Sequence, residues 1–317
     1  MKQRHLLFVL AGIAAALASC TSSSIITHAL PGSQSGYCAP SVSLAHRYLP
    51  LANFDSLKHT DIVLASQLSE HDLLMANALG IAPLLSRLVR DTSATQRVHY
   101  INLANEIQNR LLLAASEIDG IAAELDCEGE RSEQLAHYLD NLNNKRNNRL
   151  TAASIIIGAA ITVTTAAVSN SDAQNAIGIS GGLVTAGLGA LILNPAGKKI
   201  QMDYTHRNIL HDIWYTPSTS AIYTPFVWYM LNEKKFSNSH QVSLAQSIRT
   251  RWTNFEFAGK LTASREKLLF DTGGIYTAED LHTRAALLNQ LQSTIRSIHQ
   301  DMQSLHASVS MLLQKQD

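Results

Sequence analysis

Two stretches of this chain repeat apolar residues in alternating steps of three and four. The first runs through Ala104, Ile107, Leu111, Ala114, Ile118, Ile121, Leu125, Glu128, Ser132, Leu135, Leu139 and Leu142. The second runs through Leu281, Ala285, Leu288, Leu291, Ile295, Ile298, Met302, Leu305, Val309 and Leu312. Such steps keep side chains on one stripe of an α-helix, and a stripe sustained over many turns is a helix–helix seam. A chain with two of them must bury them against each other or against further helices. The expected fold is therefore all-α: an elongated helical bundle whose two long coiled-coil-like helices pair antiparallel. At 1.5 Å per residue the first helix is expected to run about 65–75 Å. Glu128 and Ser132 are polar interruptions in its seam, and Gly120 and Gly129 weaken it locally. Asp91-Thr92-Ser93 offers it caps, and Thr277-Ala278-Glu279-Asp280 reads as a capping box for the second helix.

Between the seams lies an uncharged region. Leu150 to Val168 carries no charge, nor does Ala176 to Leu193, and a polar turn from Ser169 to Asn175 joins them. This predicts an apolar, Gly/Ala-rich hairpin over residues 150–193, each arm long enough for a bilayer core. Lys145, Arg146 and Arg149 flank its entry, and Lys198 and Lys199 its exit. The strong apolar residues of the first arm supply roughly −2 to −4 kcal/mol on an insertion scale, and its Thr, Ser and Gly residues offset much of that. Small residues form two stripes, Ser154–Gly158–Thr162–Ala166 and Gly178–Gly182–Ala186–Ala190. Such stripes let helices approach closely in lipid. Two destinations stay open: contact with a membrane, or burial in a helical bundle or oligomer core.

The N-terminus reads as a secretion signal over residues 1–19. Lys2 and Arg4 precede an apolar run from Leu6 to Leu17 that is too short to span a bilayer comfortably. Leu17-Ala18-Ser19-Cys20 then resembles the lipobox of bacterial lipoproteins. That resemblance implies acylation at Cys20, anchoring to membrane lipid, and a place in the bacterial cell envelope. With Thr21 rather than Asp after the cysteine, it implies an outer-membrane address facing the periplasm or the cell surface. Residues 20–58 are expected to form a flexible tether. The remaining divisions are a helical region 59–149, the hairpin 150–193, an aromatic-rich region of short helices 194–276, and the C-terminal helix 277–317.

With Cys20 acylated, Cys38 and Cys127 remain. They are either a disulfide pair, favoured by an oxidising compartment, or two unrelated cysteines. Zero net charge excludes the basic footprint of a nucleic-acid binder. Charged residues are only 16% of the chain, so some apolar surface is expected to face something other than water. Candidate chemistry is thin. His206 and His211 are five apart, not the four that places two imidazoles on one helical face, so no metal site is assigned to them. The acidic cluster Asp126-Cys127-Glu128-Gly129-Glu130-Arg131 reads as a solvated face, with Glu128 as a polar interruption in the seam. Asp271-Thr272-Gly273-Gly274 lacks the Lys-Ser/Thr of a phosphate loop. No catalytic residue and no cofactor is expected.

The layout of long helices around an apolar hairpin is similar to that of α-helical pore-forming proteins of the cytolysin A type. The similarity is one of layout without a shared motif. Together these readings predict a non-enzymatic envelope lipoprotein, a structural or interaction component. Its hairpin would make a second membrane contact or self-associate, and its seams would hold a protein partner or a second copy. A pore-forming or bilayer-perturbing protein is the alternative, and a periplasmic enzyme using the aromatic region as a substrate wall is a third.

Overall fold

The computed structural model describes residues 25–27, 36–40, 49–50, 59, 61–90, 97–193, 199–205 and 207–314. The signal segment, Cys20, Asp91-Thr92-Ser93 and His206 lie outside them. The fold is all-α with a small sheet. Strand β1 (Ile25–Ile26) precedes helices α1 (Ile62–Gln67), α2 (Glu70–Ala78), α3 (Ala82–Arg90), α4 (Arg97–Ala167) and α5 (Ser171–Leu193). Strand β2 (Gln201–Thr205), α6 (His211–Tyr215), α7 (Pro225–Asn232), α8 (Leu244–Arg251) and α9 (Ala263–Phe270) follow. Strand β3 (Gly273–Tyr276) leads into α10 (Ala278–Gln314). The chain forms two compact units. One comprises Glu133–Thr205, Gly274–His282 and the N-terminal residues to Pro31; the other comprises Gly32–Ser132, His206–Gly273 and Thr283–Asp317.

In the second unit the seams meet as their spacing requires. Ile107, Ala114, Ile118 and Leu125 of α4 are buried, as are Leu288, Leu291, Ile295, Ile298 and Leu305 of α10. The direction is antiparallel: Tyr100 Oη donates to the Leu313 carbonyl (2.8 Å), His299 meets Asp119 (3.0 Å), and Gln292 donates to Asp126 (2.8 Å). Gly129 has a use here, because a Cβ would come within 2.8 Å of the Asn289 side chain. Three helices precede α4 within the helical region expected from residue 59. Gly80, at φ 64°, turns the chain between α2 and α3, and Pro83 sits in the first turn of α3. Ser69 caps α2 through the Asp72 amide, and Arg90 at the end of α3 returns to Asp61, the cap of α1 (2.9 Å).

The acidic cluster on α4 divides: Asp126 and Glu130 are exposed, whereas Glu128 points into the seam. Glu128 and Arg131 are buried and paired at 3.1 Å, and the fully buried Arg284 of α10 faces Glu128 at 4.0 Å. Arg284 Nη1 also donates to Asn208 Oδ1 (3.0 Å), and Asn208 donates in turn to the carbonyls of Leu269 and Asp271. One turn earlier on α4, Glu124 pairs with Arg207, and burial raises its carboxyl pKa against the pull of that guanidinium. A polar position in a heptad seam thus marks an internal charge network rather than exposure.

The aromatic region is a core. Trp214 stacks on Phe270 at 4.2 Å, donates from Nε1 to Glu266 (3.0 Å) and carries the Arg249 guanidinium over its ring. Trp252 and Phe257 pack on Phe270 as well. On another side of this region Tyr223, Trp228 and Tyr229 line a pocket of about 710 Å³ with Thr216, Pro217 and Glu233.

In the first unit, β1 pairs parallel with β2 in the register Ile25↔Gln201 and Ile26↔Met202, within the order β1-β2-β3. Asp203 lies on β2. Thr277 and Asp280 form the reciprocal cap of α10: the Asp280 amide donates to Thr277 Oγ1 and the Thr277 amide to Asp280 Oδ2, both at 3.2 Å.

The stretch expected to be a free tether carries two ties, β1 and the Cys38–Cys127 disulfide. The disulfide closes a sequence separation of 89 residues within the second unit. Closing so long a loop removes much denatured-state freedom. The Cys38→Ser/Cys127→Ser variant is expected to lose about 2–4 kcal/mol of unfolding free energy. Guanidinium denaturation followed by the three tryptophans, all in this unit, measures that loss.

Candidate functional site

The apolar hairpin is the part of the molecule whose surface is least explained by folding. Helix α4 runs through residues 149 and 150 without a break, so its basic stretch and first apolar arm are one rod. The turn is polar. Asn170 Oδ1 accepts from the amides of Asp172 (3.0 Å) and Ala173 (3.2 Å) and so caps α5, while the Gln174 side chain donates back to the Val168 carbonyl. Asp172 lies in the first turn of α5, where a negative charge suits the helix dipole.

Gly181 is the buried point: a Cβ there would overlap the Ile161 side chain. The predicted stripes do not make this contact. Gly158, Gly178 and Gly182 have nothing within 4 Å of a Cβ position, and Thr162, Gly178, Gly182 and Ala186 are exposed, with Ser154 half-buried. The physical reason is register. Gly181 lies one step off the Gly178–Gly182–Ala186 line, so that line turns outward. Ala190 belongs to residues whose side chains are not described.

The outward faces are apolar. Ile155, Ile156, Val163, Ile179 and Leu183 each expose about two thirds of their surface. Among the described residues, one helix, α4, holds an 18-residue window long and apolar enough to cross a membrane, and no part of that window is buried.

The hydroxyls, which counted against insertion, are internally satisfied. Thr151 donates to Asn147 O, Ser154 to Thr151 O, Thr162 to Gly158 O, Thr164 to Ala160 O and Thr165 to Ile161 O. On α5, Ser180 donates to Ala176 O and Thr185 to Gly181 O. A hydroxyl bonded to its own helix backbone presents far less unpaired polarity to an apolar surrounding.

At the hairpin base, a groove of about 490 Å³ is lined by Leu142, Lys145, Arg146, Arg149, Leu150 and Ile200. Asn143 Oδ1 fixes one wall by accepting from the Ile200 amide (2.9 Å). Three cations beside three aliphatic side chains suit an anionic head group with the start of an acyl chain. The basic flank was legible in the sequence; the contribution of Ile200, brought back by the strand after the hairpin, was not.

Ser220 Oγ donates to the buried Asp212 (2.6 Å) and accepts from the amides of Ile222 and Tyr223, which makes it a turn hydroxyl. His211 Nδ1 meets the other oxygen of Asp212 (2.8 Å). Its expected companion His206 is outside the described residues, so no pair is formed there to judge. Comparison with protein-family models, with curated proteins and with solved structures gives no match.

Proposed function

We propose that this chain is a non-enzymatic envelope lipoprotein whose hairpin makes a second contact with a bilayer, as a structural or interaction component. The observation that carries this reading is the hairpin: a first arm long and apolar enough to cross a membrane, a second arm of 23 residues, outward aliphatic faces and hydroxyls bonded to their own helices. Spacing supports it. If Cys20 carries acyl chains, the five-residue step to Ile25 in β1 spans at most about 18 Å. The unit that holds the hairpin then lies at the membrane surface, and the basic groove of Lys145, Arg146 and Arg149 falls within reach of its head groups.

This geometry also removes a conflict in the charge pattern. Basic flanks at a hairpin base favour the cytoplasmic side for segments inserted during synthesis. A lipoprotein body is exported first. Entry from the exported side needs no such orientation, and the cations serve as head-group contacts instead. An outer-membrane address, the fate of the acyl anchor and partners at the seams belong to this same proposal.

A second reading rests on the Gly178–Gly182–Ala186 stripe, which is exposed and unused within the hairpin. It suits close packing against another hairpin, as in a pore or an oligomer core. One fractionation separates the two. Cys20→Ala protein, freed of its acyl chains, is expected to stay with membranes through a carbonate wash. Release as a monomer would remove membrane contact from the function. Release as a defined oligomer by light scattering would select the second reading.

A further inference from the structure

A cluster of nitrogen and oxygen ligands lies in the first unit, away from the hairpin arms. Glu133, His137 and Asp140 follow one another on α4 at i, i+4 and i+7, hence on one face. His282, near the start of α10, faces them. Glu133 places one carboxylate oxygen 3.2 Å from His137 Nε2 and the other 3.0 Å from His282 Nδ1. The two imidazoles meet edge to face at 5.4 Å. One ligand atom each from Glu133, His137 and His282 lies within 4.8 Å of the others.

We infer that Glu133, His137 and His282 bind a divalent transition metal of the Zn²⁺ class, with Asp140 orienting His282. Three features argue for this over chance ion pairs. First, two imidazoles and a carboxylate match a zinc site that keeps its fourth position for water. Second, the separations fit. Donors about 2.0–2.2 Å from a tetrahedral ion stand roughly 3.3 Å apart, close to the 3.0 and 3.2 Å seen here. Third, the far nitrogen of His282 is already engaged: Nε2 lies 2.9 Å from Asp140 Oδ2. A carboxylate on the second ring nitrogen fixes the tautomer, aims the other nitrogen at the metal and strengthens it as a donor. A surface histidine holding one acid would need no second acid on its opposite edge.

Protonation competes for the same atoms. The bond to Asp140 raises the His282 pKa, reinforced by Glu133 and opposed by partial burial. Metal binding must displace that proton, so affinity is expected to fall as the solution is acidified. The site joins α4 to α10 a few turns before α4 enters its apolar arm, so the ion acts as a clamp on the hairpin base.

Titration calorimetry of the full chain in detergent with Zn²⁺ alone tests the proposal. One ion per chain is expected, with a Zn²⁺-dependent rise in Tm. His137→Ala, an exposed position whose loss disturbs no core, is expected to abolish saturable binding, as is His282→Ala. Asp140→Asn is expected to keep the stoichiometry and weaken affinity about 10–100-fold. His206→Ala/His211→Ala is expected to bind as the parent does, which controls for scattered histidines. No saturable binding by the parent chain, or binding unchanged in His137→Ala/His282→Ala, overturns the inference. Far-ultraviolet circular dichroism of each variant separates lost ligands from lost folding.

Discussion

Glu128→Gln is expected to destabilise the second unit by about 3–5 kcal/mol, the scale for removing one member of a buried charge network. The substitution keeps the volume and shape of the side chain, so packing changes little. What it removes is the counter-charge of Arg131 and Arg284, both buried, at 3.1 and 4.0 Å. Arg284 has little else to draw on. Its Nη1 donates to Asn208 Oδ1 and, at 3.4 Å, to the Leu269 carbonyl, while its Nε and Nη2 lie buried without a hydrogen bond among the described residues. An uncompensated cation in that position cannot be rehydrated without opening the α4–α10 seam.

The opposite truncation should be milder. Arg284→Met leaves Glu128 paired with Arg131, and Asn208 Oδ1 still accepts from the Leu210 amide (3.2 Å). Replacing all three charges together, as Glu128→Leu/Arg131→Leu/Arg284→Met, is expected to recover most of the loss, since a well-packed apolar cluster often equals a buried ion network. Guanidinium midpoints read by Trp214, Trp228 and Trp252 give the series. If Glu128→Gln unfolds within 1 kcal/mol or so of the parent, the surface-pair scale applies and the network is hydrated after all.

This network shows where the sequence could be read and where it could not. The seams were legible because their signal is local: alternating steps of three and four mark a helix face wherever they occur, and the buried faces of α4 and α10 follow them closely. Glu128 sits in that pattern as an apparent error. Its meaning depends on Arg284, far away in the chain, and one sequence carries no trace of that pairing. The same holds for His282 with Glu133 and Asp140. The i, i+4, i+7 spacing on α4 was visible, but it becomes a ligand set only when α10 supplies the second imidazole. Strands β1 and β2 escaped notice for another reason. Ile25–Ile26 is too short for alternation to register, and its partner Gln201–Thr205 mixes polar and apolar residues. The small-residue stripes were found, but their direction was not. A shift of one position, from Gly182 to Gly181, decides which line faces the other arm and which faces outward.

That outward face supports the second large effect. In the hairpin, Ile156→Arg/Leu183→Arg is expected to abolish membrane retention of the Cys20→Ala chain while leaving its fold intact. Each position exposes about two thirds of its side chain and lies near the middle of its arm. In water, substitution at such exposed sites changes stability by about 0.5 kcal/mol or less. At the centre of a membrane helix, exchanging an isoleucine or leucine for arginine shifts the insertion balance by roughly 3–4 kcal/mol, so the pair shifts it by about 6–8 kcal/mol. The arms are close to balance by composition, so a shift of that size decides the outcome. The far-ultraviolet circular dichroism spectrum and its melting curve should therefore not move, while carbonate-resistant pelleting should vanish. Liposome dye release adds a third readout. Release by the parent chain that is lost in the double arginine variant assigns bilayer perturbation to the hairpin. Retention without release assigns it an anchoring contact alone. Arginine variants that pellet like the parent would show that these faces never meet lipid, and would move the hairpin into a protein interface, where the exposed Gly178–Gly182–Ala186 line is the surface to cross-link.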